Sequence, residues 1–167
     1  MDELIADFSL ERVSKAGARF NPDKARWFNA QYMHVRDNDE LAEAYLPLLR
    51  EHGVEIPFEK AARIAGYIKG RAAFVSDFWE LSYFLFRAPV SFDAKVAEKY
   101  WKGENPESVA GLREVLAGID DFTNRNMETV CHAWIEEHGY KMGQIMNAFR
   151  LAIVGESKGF SMYEMCE

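Results

Sequence analysis

What this chain has little of is the first guide to it. Two cysteines occur in 167 residues, Cys131 and Cys166, far apart in sequence. That excludes the disulfide framework of a small secreted domain and points to a reducing compartment. The opening "MDELIADFSLER" is acidic and lacks the basic start and apolar run of a signal peptide. No apolar stretch approaches the roughly 20 residues needed to cross a bilayer. The densest one, "FWELSYFLF" at 78–86, reads as a buried helix. The expectation is a cytoplasmic protein with no membrane contact. Net positive charge is lacking as well. The formal charge is −7, unlike the basic domain of a general polyanion binder, though it leaves room for a local basic patch.

Signatures of catalysis are also missing. There is no P-loop, no GxGxxG after a strand and no GxSxG. The four histidines, His34, His52, His132 and His138, show no HExxH spacing. Cys131 and His132 with His138 lack the fourth ligand and the CxxC pair of a zinc site. Asp120 and Asp121 suit a helix start, where carboxylates complement the dipole. Taken alone, the residues describe a binding or structural module, with a helical protein–protein interaction module as one option.

What is there is helix after helix. Asn21 and Pro22 form an N-cap and first-turn pair, and Trp27, Phe28, Tyr32 and Val35 follow as one apolar stripe. Leu41, Ala44, Tyr45, Leu48 and Leu49 repeat the period up to Gly53, with Pro47 placed to kink or divide that helix. Further helical stretches begin at Pro57, Ser76, Ser91, Asn105 and Asp120. Another runs over 141–155, with apolar residues at 142, 145, 146, 149, 153 and 154, and a short one over 160–166. Alternating β patterns are scarce, and "SKAGARF" (14–20) is the best candidate for a short extended piece. The fold class is therefore all-α, a multi-helix bundle or superhelix in two layers. The Gly, Asn and Pro of "KGENP" (102–106) mark the boundary between layers.

The acidic total hides an asymmetry. Between Lys60 and Ser76 stand Lys60, Arg63, Lys69 and Arg71 with no acid. Between Gly139 and Phe160 stand Lys141, Arg150 and Lys158 against Glu156 alone. In the first stretch Ala61, Ile64, Ala65 and Ile68 fall on one helical face. Lys60, Arg63, Tyr67 and Arg71 fall on a neighbouring one. Cations hold phosphates, and an aromatic or guanidinium plane stacks on a base. An ordinary solvated face has the same spacing. Arg150 lies inside the apolar run "NAFRLAIVG", so it needs either an internal acid such as Glu128 or Glu136, or an external ligand.

Two separated motifs carry a family resemblance. "FSLERVSKAGARFNPDKARWFNAQYM" (8–33) resembles the segment that follows the catalytic core of bacterial glutamyl-tRNA synthetases. "KMGQIMNAFRLAIVGESKGFSMYEM" (141–165) is similar to the end of the same family. The resemblance implies the all-helical, C-terminal anticodon-binding region of a class I aminoacyl-tRNA synthetase. Residues 1–35 would end the stem-contact segment. Residues 36–103 and 104–167 would form two helical subdomains, the second cut short relative to the family, which continues with one more helix. The parent enzyme would be a glutamate–tRNA ligase using ATP and magnesium. The HIGH- and KMSKS-type signatures of its nucleotide-binding core do not occur here, so this part would hold no cofactor and do no chemistry alone. Its partners would be tRNA(Glu) and the upstream catalytic domain, in a monomer.

By the same resemblance, Arg71 and Arg150 stand where the family places anticodon-contacting arginines. Met162 stands where a residue packs on an anticodon base, and Lys158 where the preceding loop supplies a cation. His132 occupies a position that is arginine in some relatives, and a histidine is mostly neutral at pH 7. Lys60, Arg63, Lys69 and Lys141 would attract phosphates, and Tyr67 would pack on a base. Trp27, Asn29 and Tyr32 match the family and are expected to hold the helical layers together.

Overall fold

The computed structural model describes residues 2–10, 17 and 19–167. It is built of helices: α1 (Asp2–Asp7), α2 (Pro22–Val35), α3 (Asn38–Glu51), α4 (Phe58–Ile68), α5 (Phe78–Ser82), α6 (Ala94–Tyr100), α7 (Asn105–Ala117), α8 (Asn124–Glu137), α9 (Met142–Val154) and α10 (Met162–Cys166). No strand occurs among the described residues. The extended piece expected at 14–20 falls mostly outside them.

Helix starts and stops follow local chemistry. Asn21 accepts the Lys24 N–H at 3.0 Å, with Pro22 at the first helical position. Asp93 accepts from Lys95 and Val96 at the start of α6. Ser161 and Glu164 form a capping box at α10. Pro47 neither divides α3 nor shortens it. It is exposed, so the freed carbonyl one turn back faces water. The apolar segment at 78–86 does not form one long helix. It breaks at Ser82 into a 3-10 turn over Tyr83–Leu85. The Ser82 hydroxyl donates to the Phe78 carbonyl at 2.6 Å and meets the buried Tyr45 hydroxyl, and that local bond competes with the regular ladder.

Two cores result. The first joins Leu41, Tyr45 and Leu49 of α3 to Ala61, Ile64, Ala65 and Ile68 of α4 and Phe78 of α5. The predicted face of α4 is therefore the buried one. On α3, Ala42 is buried and Ala44 is exposed. The second core joins Leu112 of α7, Met127, Cys131 and Ile135 of α8, and Ile145 and Phe149 of α9. Trp134 packs on Gly111, where a Cβ would lie 2.8 Å from its ring. The Cys131 thiol is pushed up to about 11 by burial, with Cys166 adding to the shift, so it is inert at neutral pH.

The end of α9 and the segment after it stitch the cores together. Val154 and Phe160 are buried in the first, while Ile153 and Met165 touch both. From the other side, Tyr100 of α6 packs on the second. The pivot is Gly155 at φ 81°, whose carbonyl accepts the Asp93 N–H at 2.8 Å. A Cβ there would lie 2.5 Å from the Ser91 carbonyl oxygen and 2.9 Å from Pro89 Cβ.

Gly155→Ala is expected to destabilise the protein by more than the roughly 1–2 kcal/mol of a left-handed residue alone, because backbone must also move. Gly143→Ala, in open space on α9, is expected to be neutral or to stabilise by up to about 1 kcal/mol. Thermal unfolding measures both, at about 2–4 °C per kcal/mol for a chain of this size. Equal midpoints would refute the role given to Gly155.

Candidate nucleic-acid interface

The predicted basic stripe exists, but tertiary contacts sort its members. Arg63 Nη1 pairs with Glu167 Oε1 at 3.0 Å and Nη2 donates to the Glu167 carbonyl at 3.2 Å. Lys69 Nζ donates to the Arg36 carbonyl at 2.7 Å, just past the end of α2. Tyr67 is half-buried and its ring stacks on Phe160 at 5.3 Å. Burial, and then Glu167 and Glu164, raise its phenol pKa. Lys60 is exposed, and no side-chain partner for it occurs among the described residues.

Arg71 ends the 3-10 turn Lys69–Arg71 that closes α4. That turn lies against α2, and Arg71 lines an open cleft with Asp23, Arg26, Trp27, Ala30 and Ala73. Its side chain is exposed and forms no ion pair or hydrogen bond with the described residues.

Arg150 projects from α9 towards the same place. It is half-buried, and Nη1 donates to the Lys158 carbonyl at 2.9 Å. Gly159 makes room for it: a Cβ there would lie 3.1 Å from Nη1 and 3.3 Å from Phe84. Burial, and then the charge of Arg71, lower the pKa of its guanidinium. Neither Glu128 nor Glu136 pairs with it, and no carboxylate of the described residues reaches it within ion-pair distance. Two guanidiniums thus lie near one another with no carboxylate of the described residues bonded to either, although Asp23 lines the Arg71 cleft. A protein gains nothing in stability from that arrangement. It suits forked bonding to an anion or a base edge.

The other expected positions are less open. Lys158 Nζ pairs with Glu156 Oε1 at 3.0 Å and lies 4.7 Å from the centre of the Tyr83 ring. Met162 is 3% exposed within the second core, so it presents no surface on which a base could stack. His132 is half-buried with its ring edge-on to Tyr163. Lys141 is exposed ahead of α9, beside an open cleft lined by Lys102, Asn105, Tyr140 and Gln144. Among the described residues no three metal-ligating side chains come together.

The layer-holding role expected for Trp27 and Tyr32 is not what the structure shows. They are 57% and 70% exposed, because α2 uses other residues to attach itself. Asn29 donates to the Ala73 carbonyl, Arg26 reaches Asp77 at 3.4 Å, and Met33 is buried. Sequence reasoning also missed Glu156, Tyr83 and Glu167. Tyr83 sits in the most apolar segment and reads as core, and nothing local marks Glu167 as the partner of Arg63.

The all-helical domain thus holds one exposed arginine in an open cleft and a second, half-buried one close enough to feel its charge, neither of them bonded to an acid of the described residues. A family model described as an anticodon binding domain matches residues 38–167, and the chain belongs to that family. It is 45% identical over 165 residues to a glutamate–tRNA ligase of Phocaeicola vulgatus, and 46% identical over 165 residues to one of Bacteroides thetaiotaomicron. In each case the match covers 99% of this chain and 33% of the relative. A crystal structure of a glutamate tRNA ligase from Elizabethkingia meningosepticum superposes with a TM-score of 0.93 at 38% identity, over 98% of this chain and 32% of that one. The chain spans about a third of the length of these relatives.

Because Arg71 is exposed and unpaired, Arg71→Ala is expected to leave folding stability within about 0.5 kcal/mol of the parent. Arg150→Met removes a half-buried like charge and is expected to be neutral or stabilising, despite losing its bond to the Lys158 carbonyl. Chemical denaturation checks both. A loss above about 1 kcal/mol for Arg71→Ala would mean that this residue serves the fold.

Proposed function

We propose that this domain reads the anticodon loop of tRNA(Glu) as part of a glutamate–tRNA ligase. The observation that carries the reading is the uncompensated pair Arg71 and Arg150. Anticodon bases are single-stranded and are recognised by splaying them and hydrogen bonding to their edges. Two adjacent guanidiniums from different helical layers meet that need, and forked donors suit base edges and phosphates alike. Lys60 and Lys141, which no carboxylate of the described residues neutralises, supply sequence-tolerant attraction to the backbone. Arg63 and Lys69 contribute less, since Glu167 and the Arg36 carbonyl already hold them. Tyr67 and His132 border the ligand with the part of each ring left exposed.

Joining glutamate to the tRNA, with ATP and magnesium, falls to the catalytic part of the enzyme. The exposed apolar residues Phe28, Tyr32 and Val35 of α2, which do not line the Arg71 cleft, are where that upstream part packs. Ile5, Phe8 and Phe20, also exposed, extend the apolar surface on the same side of the sequence. A patch of this composition is expected to be covered in the longer enzyme.

Gel mobility shift with a tRNA(Glu) transcript at low salt tests the reading. Arg71→Ala and Arg150→Ala should each weaken binding by about 1–3 kcal/mol, roughly 5- to 150-fold. The loss should shrink for a transcript with a substituted anticodon. Lys60→Ala and Lys141→Ala should weaken all transcripts alike and lower the salt slope by about 0.7–0.9 each. Absence of a shift at low salt, or indifference to both arginine substitutions, would overturn the proposal.

A further inference from the structure

Glu156 is the one acid in the basic segment from Gly139 to Phe160, and it is not idle. Its Oε1 accepts the Tyr83 hydroxyl at 2.9 Å and the Lys158 ammonium at 3.0 Å. Lys158 Nζ also lies over the Tyr83 ring, so the three side chains close on one another. Tyr83 comes from the 3-10 turn after α5, while Glu156 and Lys158 come from the loop after α9. The bond from Lys158, and then that from Tyr83, hold the Glu156 carboxyl below its usual range, against the opposing effects of burial and the charge of Asp93. The clasp therefore stays ionised at neutral pH.

The pair matters because of what Lys158 does with its backbone. Its carbonyl is the acceptor for Arg150 Nη1. The residue that aims the arginine is thus the residue whose own cation is clasped. A free lysine here would add sequence-blind phosphate attraction beside two groups that discriminate. Lending Lys158 to a phosphate would leave Glu156 facing RNA unpaired, so the clasp opposes that exchange.

Resting on the anticodon reading above, we infer that Glu156 is a specificity-determining residue: it clasps Lys158 against Tyr83, withholds that cation from RNA phosphates, and keeps the Lys158 carbonyl in place to aim Arg150. The RNA then meets the two arginines without a third, indiscriminate cation between them. Tyr83 is a positioning residue in the same device, since its hydroxyl holds the carboxylate.

The test is the salt dependence of binding by the whole 167-residue chain, with a tRNA(Glu) transcript and an anticodon-substituted one. Glu156→Gln keeps an acceptor for Tyr83 but discharges the clasp. It should steepen the salt slope by about 0.7, the value for one more cation on a single strand. It should also tighten binding of the substituted transcript several-fold at low salt and narrow the ratio between the two RNAs. Lys158→Met alone should leave the slope unchanged, and Glu156→Gln combined with Lys158→Met should return it to the parent value. Lys158 is 37% exposed, so that variant reports even if Glu156→Gln fails to fold. A slope that falls by about 0.7 in Lys158→Met would show that the lysine already binds phosphate, and would overturn the inference. So would an unchanged slope in a folded Glu156→Gln. Arg71→Ala separates the two levels: if it weakens binding while these variants move no slope, the clasp alone is refuted. If neither arginine substitution affects binding, the anticodon reading falls and this inference with it.

Discussion

The arrangement depends on one backbone turn. At Gly155 the chain leaves α9 in the left-handed conformation and returns at once across the face of the first core, where Phe160 is buried. Nothing but glycine fits there, since the carbonyl of Ser91 occupies the space of a side chain. With that turn, the loop from Glu156 to Gly159 lies alongside Phe84 and Tyr83, and its Lys158 carbonyl holds the Arg150 guanidinium, which feels the charge of Arg71 just past α4. The register between the two cores is set by the same few residues that aim the arginine.

That geometry explains how a half-buried arginine is tolerated. Desolvation and a neighbouring guanidinium both oppose its charge. The protein offers one backbone carbonyl in return and no carboxylate from the described residues. Elsewhere it solves the same problem conventionally: Arg63 receives Glu167, Arg26 receives Asp77 and Lys158 receives Glu156. Arg71 and Arg150 differ from these in being two guanidiniums close enough to feel each other's charge with no acid bonded to either.

Much of the fold was legible from periodicity and punctuation. The buried face of α4, the Asn21–Pro22 entry and the short last helix all follow from local residue chemistry. The break at Ser82 was not, because it depends on a hydroxyl finding Tyr45 from another helix. The candidate site was half legible. Two locally basic segments stood out, and the resemblance selected Arg71 and Arg150 within them. Which cations are free, however, is a tertiary property. Glu167 lies 104 positions from Arg63 in the chain and cancels it, while a count of charges along 60–76 sees no acid at all. Met162 illustrates the converse: a motif position places it, and packing withdraws it from the surface. Trp27 and Tyr32 look like core to a helical-period argument because that argument shows a face and not what covers it.

The acidity of the chain, which at first argues against an RNA partner, becomes intelligible on this basis. Phosphate attraction acts without regard to sequence, and every free cation raises affinity for all RNAs together. A protein with formal charge −7 suppresses such contacts over most of its surface. On the anticodon reading proposed above, it allows them where forked donors can examine a base. Glu156 applies the same logic over a few ångströms. It pairs with the ammonium of Lys158, while the carbonyl of the same lysine accepts from Arg150. Discrimination grows when the contacts that cannot discriminate are few, and the role inferred for Glu156 is to hold one such cation, Lys158, away from RNA.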